Sequence, residues 1–208
     1  MRERIVRAAQ SAGRDPGEIT LLAVTKVFPV EALLEAYSCG LREFGENYVQ
    51  EFEGKFPRVS ALEGARFHLI GHLQSNKARK AAELFHVVQT VDSVKLARRL
   101  LEAGFQGEAF AEVKLSEEDS KHGAAPESVP ELLANSPLPL SGLMTMPPWS
   151  DDPEAARPYF RSLKRLADKN GIKKLSMGMS HDLEVAIQEG ATIVRVGTAL
   201  FGSRKALL

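Results

Sequence analysis

The sequence has little of several features that mark specialised classes of protein. Cysteine occurs once, as Cys39, so no internal disulfide can form. We expect this side chain to be a small buried filler at a helix end, in a reducing compartment, the cytoplasm. The 27 basic and 27 acidic side chains balance, so no overall field recruits nucleic acid or an anionic membrane. Residues 1–7 alternate charged and apolar types. There we expect a short amphipathic helix rather than a signal peptide or a membrane span.

Two glycine-rich phosphate motifs are also missing. No Gly-x-Gly-x-x-Gly follows the first predicted strand, and no Gly-x-x-x-x-Gly-Lys-[Ser/Thr] occurs. These motifs cradle the phosphates of dinucleotides and of nucleoside triphosphates. The first absence counts against an open doubly wound sheet, and the second leaves a nucleoside triphosphate as ligand with little support.

The composition that remains is that of an ordinary globular protein. Of 208 residues, 44% are hydrophobic and 26% are charged, and a chain of this length buries roughly 70% of its unfolded surface. No segment is rich enough in proline, glycine and serine to serve as a linker. We therefore expect a single domain over residues 1–208.

β-Branched apolar runs alternate with helical patterns along the whole chain. The predicted strands are 20–26, 41–45, 66–70, 86–91, 108–114, 139–144, 173–177 and 191–196. Such alternation indicates a parallel sheet covered by helices. Eight units favour a closed (β/α)8 barrel near the lower size limit of that fold. An open doubly wound sheet is the alternative.

Helix boundaries and core stripes can be assigned between the strands. The expected boundaries are Ser75 before 76–84, Asp92 or Ser93 before 94–103 with Gly104 after it, and Pro126 in the first turn of a helix ending near Asn135. Two stripes with helical spacing are expected to face the core: Leu96, Leu100 and Leu101, and Phe160, Leu163 and Leu166.

A single lysine stands at the end of the first strand. Lys26 follows a buried run and is followed by the strand-stopping Pro29. Among apolar neighbours its ammonium form is disfavoured, which makes the free amine available for a Schiff base. The alternative is a solvated lysine at a strand exit.

The loops after strands seven and eight contain small polar residues. Barrels often bind phosphate in these two loops. Here Gly178 and Gly197 would let the backbone approach a ligand, and Ser180 and Thr198 would supply hydroxyls beside helix N-terminal amides. In the alternative interpretation, Ser180 only caps a helix and Gly197 only forms a turn.

Six segments form a specific combination. They are Val-x-Lys at 24–26, Gly-Glu-Asn-Tyr at 45–48, Phe-His-Leu-Ile-Gly-His-Leu-Gln-Ser-Asn-Lys at 67–77, Gly-Leu-Met-Thr-Met at 142–146, Ser-Met-Gly-Met-Ser-x-Asp at 176–182 and Arg-Val-Gly-Thr-Ala-Leu-Phe-Gly at 195–202. Together they resemble the pyridoxal phosphate homeostasis protein family, single-domain relatives of the barrel half of alanine racemase. The resemblance covers essentially the whole chain.

The resemblance implies a cofactor site. By it, Lys26 matches the lysine that forms the internal aldimine with pyridoxal 5′-phosphate, and Arg195 matches the arginine facing the pyridine nitrogen. The remaining cofactor-binding positions that it implies are Ser180, Gly197 and Thr198 for the phosphate, and Asn47, His68 and Met179 for the pocket lining. No metal and no catalytic residue are expected.

Departures from the family pattern bear on activity. His181 stands where relatives often carry an acidic residue, and Val30 replaces a phosphate-binding tyrosine of alanine racemase. The C-terminal β-domain of the racemase, with its second catalytic tyrosine, is expected to be absent. A ring nitrogen facing the permanently charged Arg195 should stay unprotonated, which weakens carbanion chemistry.

The resemblance therefore implies a cytoplasmic protein that holds or delivers pyridoxal 5′-phosphate in vitamin B6 homeostasis, without efficient amino-acid turnover. Its expected partners are the cofactor, free amino acids and apo-enzymes that depend on the cofactor, and we expect a monomer. A low-activity amino-acid racemase and a Schiff-base barrel aldolase are the alternatives.

Overall fold

The computed structural model describes residues 1–116, 118 and 122–202. Eight parallel strands close into a barrel in chain order, and the first strand pairs with the last. The strands are β1 Thr20–Val24, β2 Glu43–Glu46, β3 Arg66–Leu69, β4 Val87–Val91, β5 Glu108–Glu112, β6 Leu140–Met144, β7 Lys174–Met179 and β8 Ile193–Val196. The prediction of eight strands and of a (β/α)8 barrel is confirmed, and the open sheet is wrong.

Helices surround the barrel and connect its strands. They are α1 Arg2–Ser11, α2 Val30–Ser38, α3 Val49–Val59, α4 Ala78–Leu84, α5 Val94–Glu102, α6 Val129–Asn135, α7 Arg157–Lys169, α8 Leu183–Gln188 and α9 Thr198–Phe201. The predicted amphipathic N-terminal helix is α1, which buries Ile5, Ala8 and Ala9. Within the described part of the chain, no helix combines the length and apolarity needed to cross a bilayer.

The barrel interior is filled by side chains from alternate strand positions. A small apolar cluster inside it contains Leu22, Val24, Ile70, Val87, Phe110 and Ile193. Gly142 is required beside this cluster, because a Cβ there would lie 2.7 Å from the Phe110 ring. The larger core lies between the strands and the helices. The interior is thus packed, which directs the search for a ligand site to the two ends of the barrel.

Some helix boundaries follow the predictions and one does not. Ser93 caps α5, with its Oγ accepting from the Leu96 amide at 3.3 Å. Pro126 begins a short 3₁₀ turn that leads into α6. The prediction that Ser75 caps a helix is wrong: it lies inside a 3₁₀ turn that precedes α4, and neither start has a side-chain cap.

Two predictions of burial are also wrong. Leu101 is 46% exposed, because it follows the buried Leu100 and therefore points about 100° away from the core stripe of α5. Cys39 is exposed at the C-terminal end of α2, where it faces away from the core. The second stripe is confirmed, with Phe160 and Leu163 buried and Leu166 partly buried against the core.

Candidate functional site

A cavity of about 260 Å³ opens at the C-terminal ends of the strands. We call it the C-terminal cavity. It brings together seven of the eight residues implied by the sequence: Lys26, Asn47, Met179, Ser180, Arg195, Gly197 and Thr198. These residues come from the ends of β1, β2, β7 and β8. The closed barrel therefore gathers on one side a set that is spread over 173 positions, from 26 to 198.

Lys26 lies in a tight turn at the end of β1. The Phe28 amide donates to the Thr25 carbonyl at 3.1 Å, so Lys26 and Val27 are the central residues of the turn. Val27 has φ +60°, which glycine normally supplies at this position of a type II turn. A β-branched residue in this region is strained by about 1–3 kcal/mol and persists only when its surroundings hold it.

Helix α3 holds this turn through a buried ionic cluster. Lys55 Nζ donates to the Thr25 carbonyl at 2.9 Å, to Glu46 Oε1 at 2.8 Å and to Glu51 Oε1 at 2.6 Å. Glu51 Oε1 also accepts from the Val27 amide at 2.6 Å. The two residues that flank Lys26 are thus both fixed from the same helix. The i, i+4 spacing of Glu51 and Lys55 was the one signal in the sequence for this cluster.

Burial and charge oppose each other within the cluster. Glu46 is 0% exposed. Burial raises the pKa of Glu46, although Lys55 and the Thr25 hydroxyl partly offset this by favouring the carboxylate. The ionised form therefore depends on the Lys55 ammonium.

The opposite wall is formed by the loops after β7 and β8. The Ser180 hydroxyl accepts from the amides of Gly197 and Ala199, both at 3.3 Å, and Arg4 donates to the Ser180 carbonyl at 3.1 Å. Ser180 is not a helix cap, since α8 begins three residues later, after Asp182. The helix-cap interpretation is therefore wrong. The Ser180 hydroxyl and these two backbone amides thus lie together at the rim of the cavity.

A glycine is required at position 178 for a different reason from the one that the sequence suggested. It has φ +89°, and a Cβ there would lie 2.4 Å from the Ala186 side chain. Close packing of β7 on α8 requires this glycine. It is not among the residues that line the C-terminal cavity.

Arg195 is a buried cation in the cavity wall, 3% exposed. It donates to the Thr145 carbonyl at 2.7 Å, to the Ser176 carbonyl at 2.7 Å and to the Ser176 hydroxyl at 2.9 Å. Burial lowers the pKa of Arg195 to about 10, against the opposing effect of Asp182 and Glu112. The guanidinium therefore stays charged at neutral pH.

Asn47 provides an unsatisfied acceptor. Its Oδ1 is buried and, among the described residues, has no hydrogen-bond partner. A buried carbonyl without a donor is costly, and ligands often satisfy such groups. The cavity thus combines an amine, a guanidinium, an open carbonyl and amide donors with apolar walls. This donor set suits a small planar molecule that carries an anionic group.

His68 lies elsewhere. It lines a cavity of about 790 Å³ at the opposite end of the barrel, which we call the N-terminal cavity. This cavity is lined at the strand starts by Thr20, Glu43, Arg66, His68, Glu108, Lys174 and Ile193. The structure therefore does not bring His68 together with the other implied residues, because its ring bonds Glu43, the first residue of β2, at the N-terminal end of the barrel.

Several residues of the C-terminal cavity were not identified from the sequence. They are Val24, Phe28, Ile70, Met146 and Trp149, whereas His181, already noted as a departure from the family pattern, also lines the cavity. Trp149, the single tryptophan, is 66% exposed and its ring centroid lies 5.0 Å from that of His181. A tryptophan directly after two prolines in a loop was the available signal.

Comparison with known sequences gives a consistent result. Residues 1–205 match the family described as alanine racemase, N-terminal domain. A protein of Pseudomonas aeruginosa named pyridoxal phosphate homeostasis protein is 48% identical, over 97% of this chain and 91% of the relative. A relative from Aquifex aeolicus with the same name is 42% identical, over 98% of this chain and 95% of its own length.

Comparison with solved structures gives the same result as comparison with sequences. PipY of Synechococcus elongatus, solved with pyridoxal phosphate bound, is 36% identical and superimposes with a TM-score of 0.80, covering 96% of this chain and all of the PipY chain. The match in sequence extends over the whole barrel that places Lys26, Arg195 and Ser180 around one cavity. This chain belongs to the pyridoxal phosphate homeostasis protein family, within the wider family of the alanine racemase N-terminal domain.

Proposed function

We propose that this chain binds pyridoxal 5′-phosphate in the C-terminal cavity and holds or delivers it in vitamin B6 homeostasis, without efficient amino-acid turnover. The observation that carries the proposal is the convergence of Lys26, Arg195 and the Ser180 loop on one small cavity. The names of the relatives and the ligand bound to PipY support it.

The size and polarity of the cavity suit this cofactor. Its volume of about 260 Å³ lies just below the range of about 300–1,000 Å³ typical of drug-sized ligands. Pyridoxal 5′-phosphate supplies an aldehyde that a primary amine can bind covalently, a phosphate and an aromatic ring. Lys26 would provide the amine. The Ser180 and Thr198 hydroxyls, with the amides of Gly197 and Ala199, would hold the phosphate.

Three further residues would hold the ring. Asn47 and Met179 line the same cavity as Lys26 and Ser180. Arg195 would keep a proton off the ring nitrogen, because two adjacent cations repel. An unprotonated ring is a weak electron sink. The site would therefore favour covalent exchange of the cofactor between amines over removal of the α-proton of an amino acid.

A racemase needs bases on both faces of the ring. Lys26 would serve one face. His181 also lines the C-terminal cavity, but its Nε2 lies 2.9 Å from the Asp151 carbonyl, which turns that atom toward the loop after β6. We expect deuterium exchange at the α-carbon of common amino acids to stay far below roughly one turnover per second. Exchange at that rate or faster would establish a racemase.

The main experiment is reduction of the purified protein with borohydride after loading with pyridoxal 5′-phosphate. We expect a coloured complex, fixed by reduction as an adduct that maps to Lys26. Lys26→Ala should lose the adduct while keeping the fold by circular dichroism. Lys173→Ala is the matched control, since Lys173 lines the N-terminal cavity, and it should label like the unchanged protein.

Other outcomes would contradict the proposal. An adduct on a different lysine in both the unchanged protein and Lys26→Ala would refute the assignment of Lys26. A protein that binds a sugar phosphate through Lys26 but acquires no chromophore with pyridoxal 5′-phosphate would be a barrel aldolase.

The proposal includes the setting in which the protein acts. It would be a cytoplasmic monomer with one domain over residues 1–208, and the exposed thiol of Cys39 suits a reducing compartment. Its partners would be free amino acids and apo-enzymes that take up the cofactor. Analytical ultracentrifugation tests the monomer. Direct delivery is tested by comparing transfer of the cofactor to an apo-enzyme after mixing with transfer across a dialysis membrane.

A further inference from the structure

A chain of hydrogen bonds crosses the barrel interior from the N-terminal cavity to the C-terminal cavity. His68 Nε2 lies 2.5 Å from Glu43 Oε2, and His68 Nδ1 lies 2.9 Å from Gln89 Nε2. The Ser176 hydroxyl donates to Gln89 Oε1 at 2.6 Å and accepts from Arg195 Nη1 at 2.9 Å. We call these five residues the polar chain. Each comes from a different strand, so only the closed barrel assembles it.

The chemistry of the two ends sets the direction of every bond in the polar chain. A guanidinium can only donate, and a carboxylate can only accept. Ser176 Oγ accepts from Arg195 and donates its own proton to Gln89 Oε1. The Gln89 amide must then present its NH₂ group to His68. His68 Nδ1 therefore accepts, and the imidazole proton lies on Nε2, facing Glu43.

Burial makes this arrangement hard to break. Gln89 and Ser176 are 0% exposed, and His68 and Arg195 are 2% and 3% exposed. A buried polar group that loses its partner has no water to replace it. A change at one link therefore forces the next link to reorient.

The end of the polar chain in the C-terminal cavity is adjustable. A guanidinium has five N–H donors, and three of those of Arg195 have acceptors among the described residues. Two of these acceptors are the backbone carbonyls of Thr145 and Ser176, which do not rotate. The third is the Ser176 hydroxyl, whose orientation depends on Gln89 and, through it, on His68.

We infer that Glu43, His68 and Gln89 are positioning residues for Arg195. They hold the Ser176 hydroxyl as the third acceptor of the guanidinium, beside the two backbone carbonyls, and so complete the set of bonds that aims its remaining donors into the C-terminal cavity. The end of the barrel that faces the N-terminal cavity thereby sets the geometry of the cofactor site. The contact of Arg195 with the cofactor rests on the proposed function. The direction of the hydrogen bonds in the polar chain does not.

The direction can be tested on protein without cofactor. We expect ¹⁵N NMR of histidine-labelled protein at pH 7 to show His68 as the neutral Nε2–H tautomer, assigned by the signal missing from His68→Gln. In Gln89→Leu, the Nδ1 resonance should move toward the value of an acceptor without a donor. A neutral Nδ1–H tautomer or an imidazolium in the unchanged protein would overturn the inference.

The positioning role is tested by measuring cofactor binding in the C-terminal cavity. We expect Gln89→Leu to weaken binding of pyridoxal 5′-phosphate about tenfold, the effect of one lost buried hydrogen bond, and to shift the absorption band of the bound cofactor. Thr90→Val is the matched control. It removes a fully buried hydroxyl from the next residue of β4, one that bonds the Gly71 carbonyl at 3.0 Å. It should leave affinity within about twofold.

A second pair of variants probes the far end, where the side chain of Glu43 is 22% exposed and substitution is tolerated more easily. Glu43→Gln keeps an acceptor for His68 and should leave affinity within about twofold, whereas Glu43→Leu removes it and should weaken binding about threefold. Equal affinity and equal spectra for both Glu43 variants and the unchanged protein would overturn the inference. This pair decides the matter if Gln89→Leu does not fold.

Failure of the proposed function would look different. It would show as no fixed adduct in the unchanged protein, and the tautomer of His68 would still report on the polar chain. Conversely, normal adduct formation on Lys26 with no response to Gln89→Leu or Glu43→Leu would leave the proposed function intact and refute only the positioning role.

Discussion

The two ends of the barrel carry very different cavities. The N-terminal cavity, at about 790 Å³, is three times as large as the C-terminal cavity at about 260 Å³. Size alone would select the larger one as the binding site. Whether the polar groups that line each cavity already have partners favours the smaller cavity instead.

In the N-terminal cavity most of the charged groups have a partner. Arg66 lies 3.4 Å from Glu108 and 3.6 Å from Glu43, Lys174 pairs with Glu108, and Arg14 donates to two backbone carbonyls. In the C-terminal cavity, Asn47 Oδ1 has no partner in the described part of the chain. The difference teaches that a buried acceptor without a partner, rather than volume, marks a site for a ligand.

The largest effect should come from the ionic cluster that holds the turn of Lys26. Lys55→Met leaves the carboxylate of Glu46 buried without its cation, and we expect a loss of about 3–5 kcal/mol in the free energy of unfolding. The double variant with Glu46→Gln should recover most of that loss. Chemical denaturation measures both.

A lysine on the surface provides the control for this comparison. Lys80 pairs with Glu53 and Glu83 but is 42% exposed, so Lys80→Met should cost less than about 1 kcal/mol. Equal losses for Lys55→Met and Lys80→Met would show that the cluster does not brace the cofactor end of the barrel.

The next effect concerns the phosphate. Ser180→Ala combined with Thr198→Ala should weaken binding of pyridoxal 5′-phosphate by about 1–3 kcal/mol, because hydroxyl hydrogen bonds to a charged group are lost. Binding of pyridoxal, which lacks the phosphate, should change little in the same variant. If the unchanged protein bound both aldehydes equally, the phosphate site would have to be placed elsewhere.

The N-terminal end should respond to acid. Burial lowers the pKa of His68 below its usual 6.5. The nearby charge of Arg66 also lowers this pKa, whereas the carboxylates of Glu43 and Glu108 oppose the shift without cancelling it. Below pH 6.5 the unfolded chain then binds more protons than the folded one. Stability should therefore fall as the pH drops from 6.5 toward the folded pKa, by at most about 1.4 kcal/mol per pH unit.

The comparison that isolates this effect is His68→Gln, which removes the titrating group. Its stability should depend less on pH between 5 and 6.5 than that of the unchanged protein, measured by urea denaturation at several pH values. An identical pH dependence in the two proteins would mean that another group carries the acid response.

The smallest effect should come from the ion pairs of the N-terminal cavity. Lys174 is 51% exposed and its pair with Glu108 is screened by water, so Lys174→Ala should change stability by less than about 1 kcal/mol. Affinity for pyridoxal 5′-phosphate should not change. A large loss of affinity would reverse the comparison and make the N-terminal cavity part of the binding site.

Much of the cofactor end was predictable because it depends on local patterns. A buried run that stops at Lys26, and a serine and a threonine after the last two strands, already have a location once the barrel is assumed. His68 was assigned to the pocket with its motif, yet its ring turns to Glu43 at the other end of the barrel, a contact between β3 and β2 that no short segment shows. Trp149 and the Lys55 cluster carry almost no local signal.

The sequence by itself determined the eight strand-helix units, because their hydrophobic periods are local, and the identity of the reactive groups at the strand ends. Only the tertiary structure decided which of those groups share a cavity, which are neutralised by partners, and how Arg195 is linked to Glu43. The two ends of the polar chain, Glu43 and Arg195, lie 152 positions apart in the sequence. Their distance and burial are set by the closure of the barrel, which no short segment encodes.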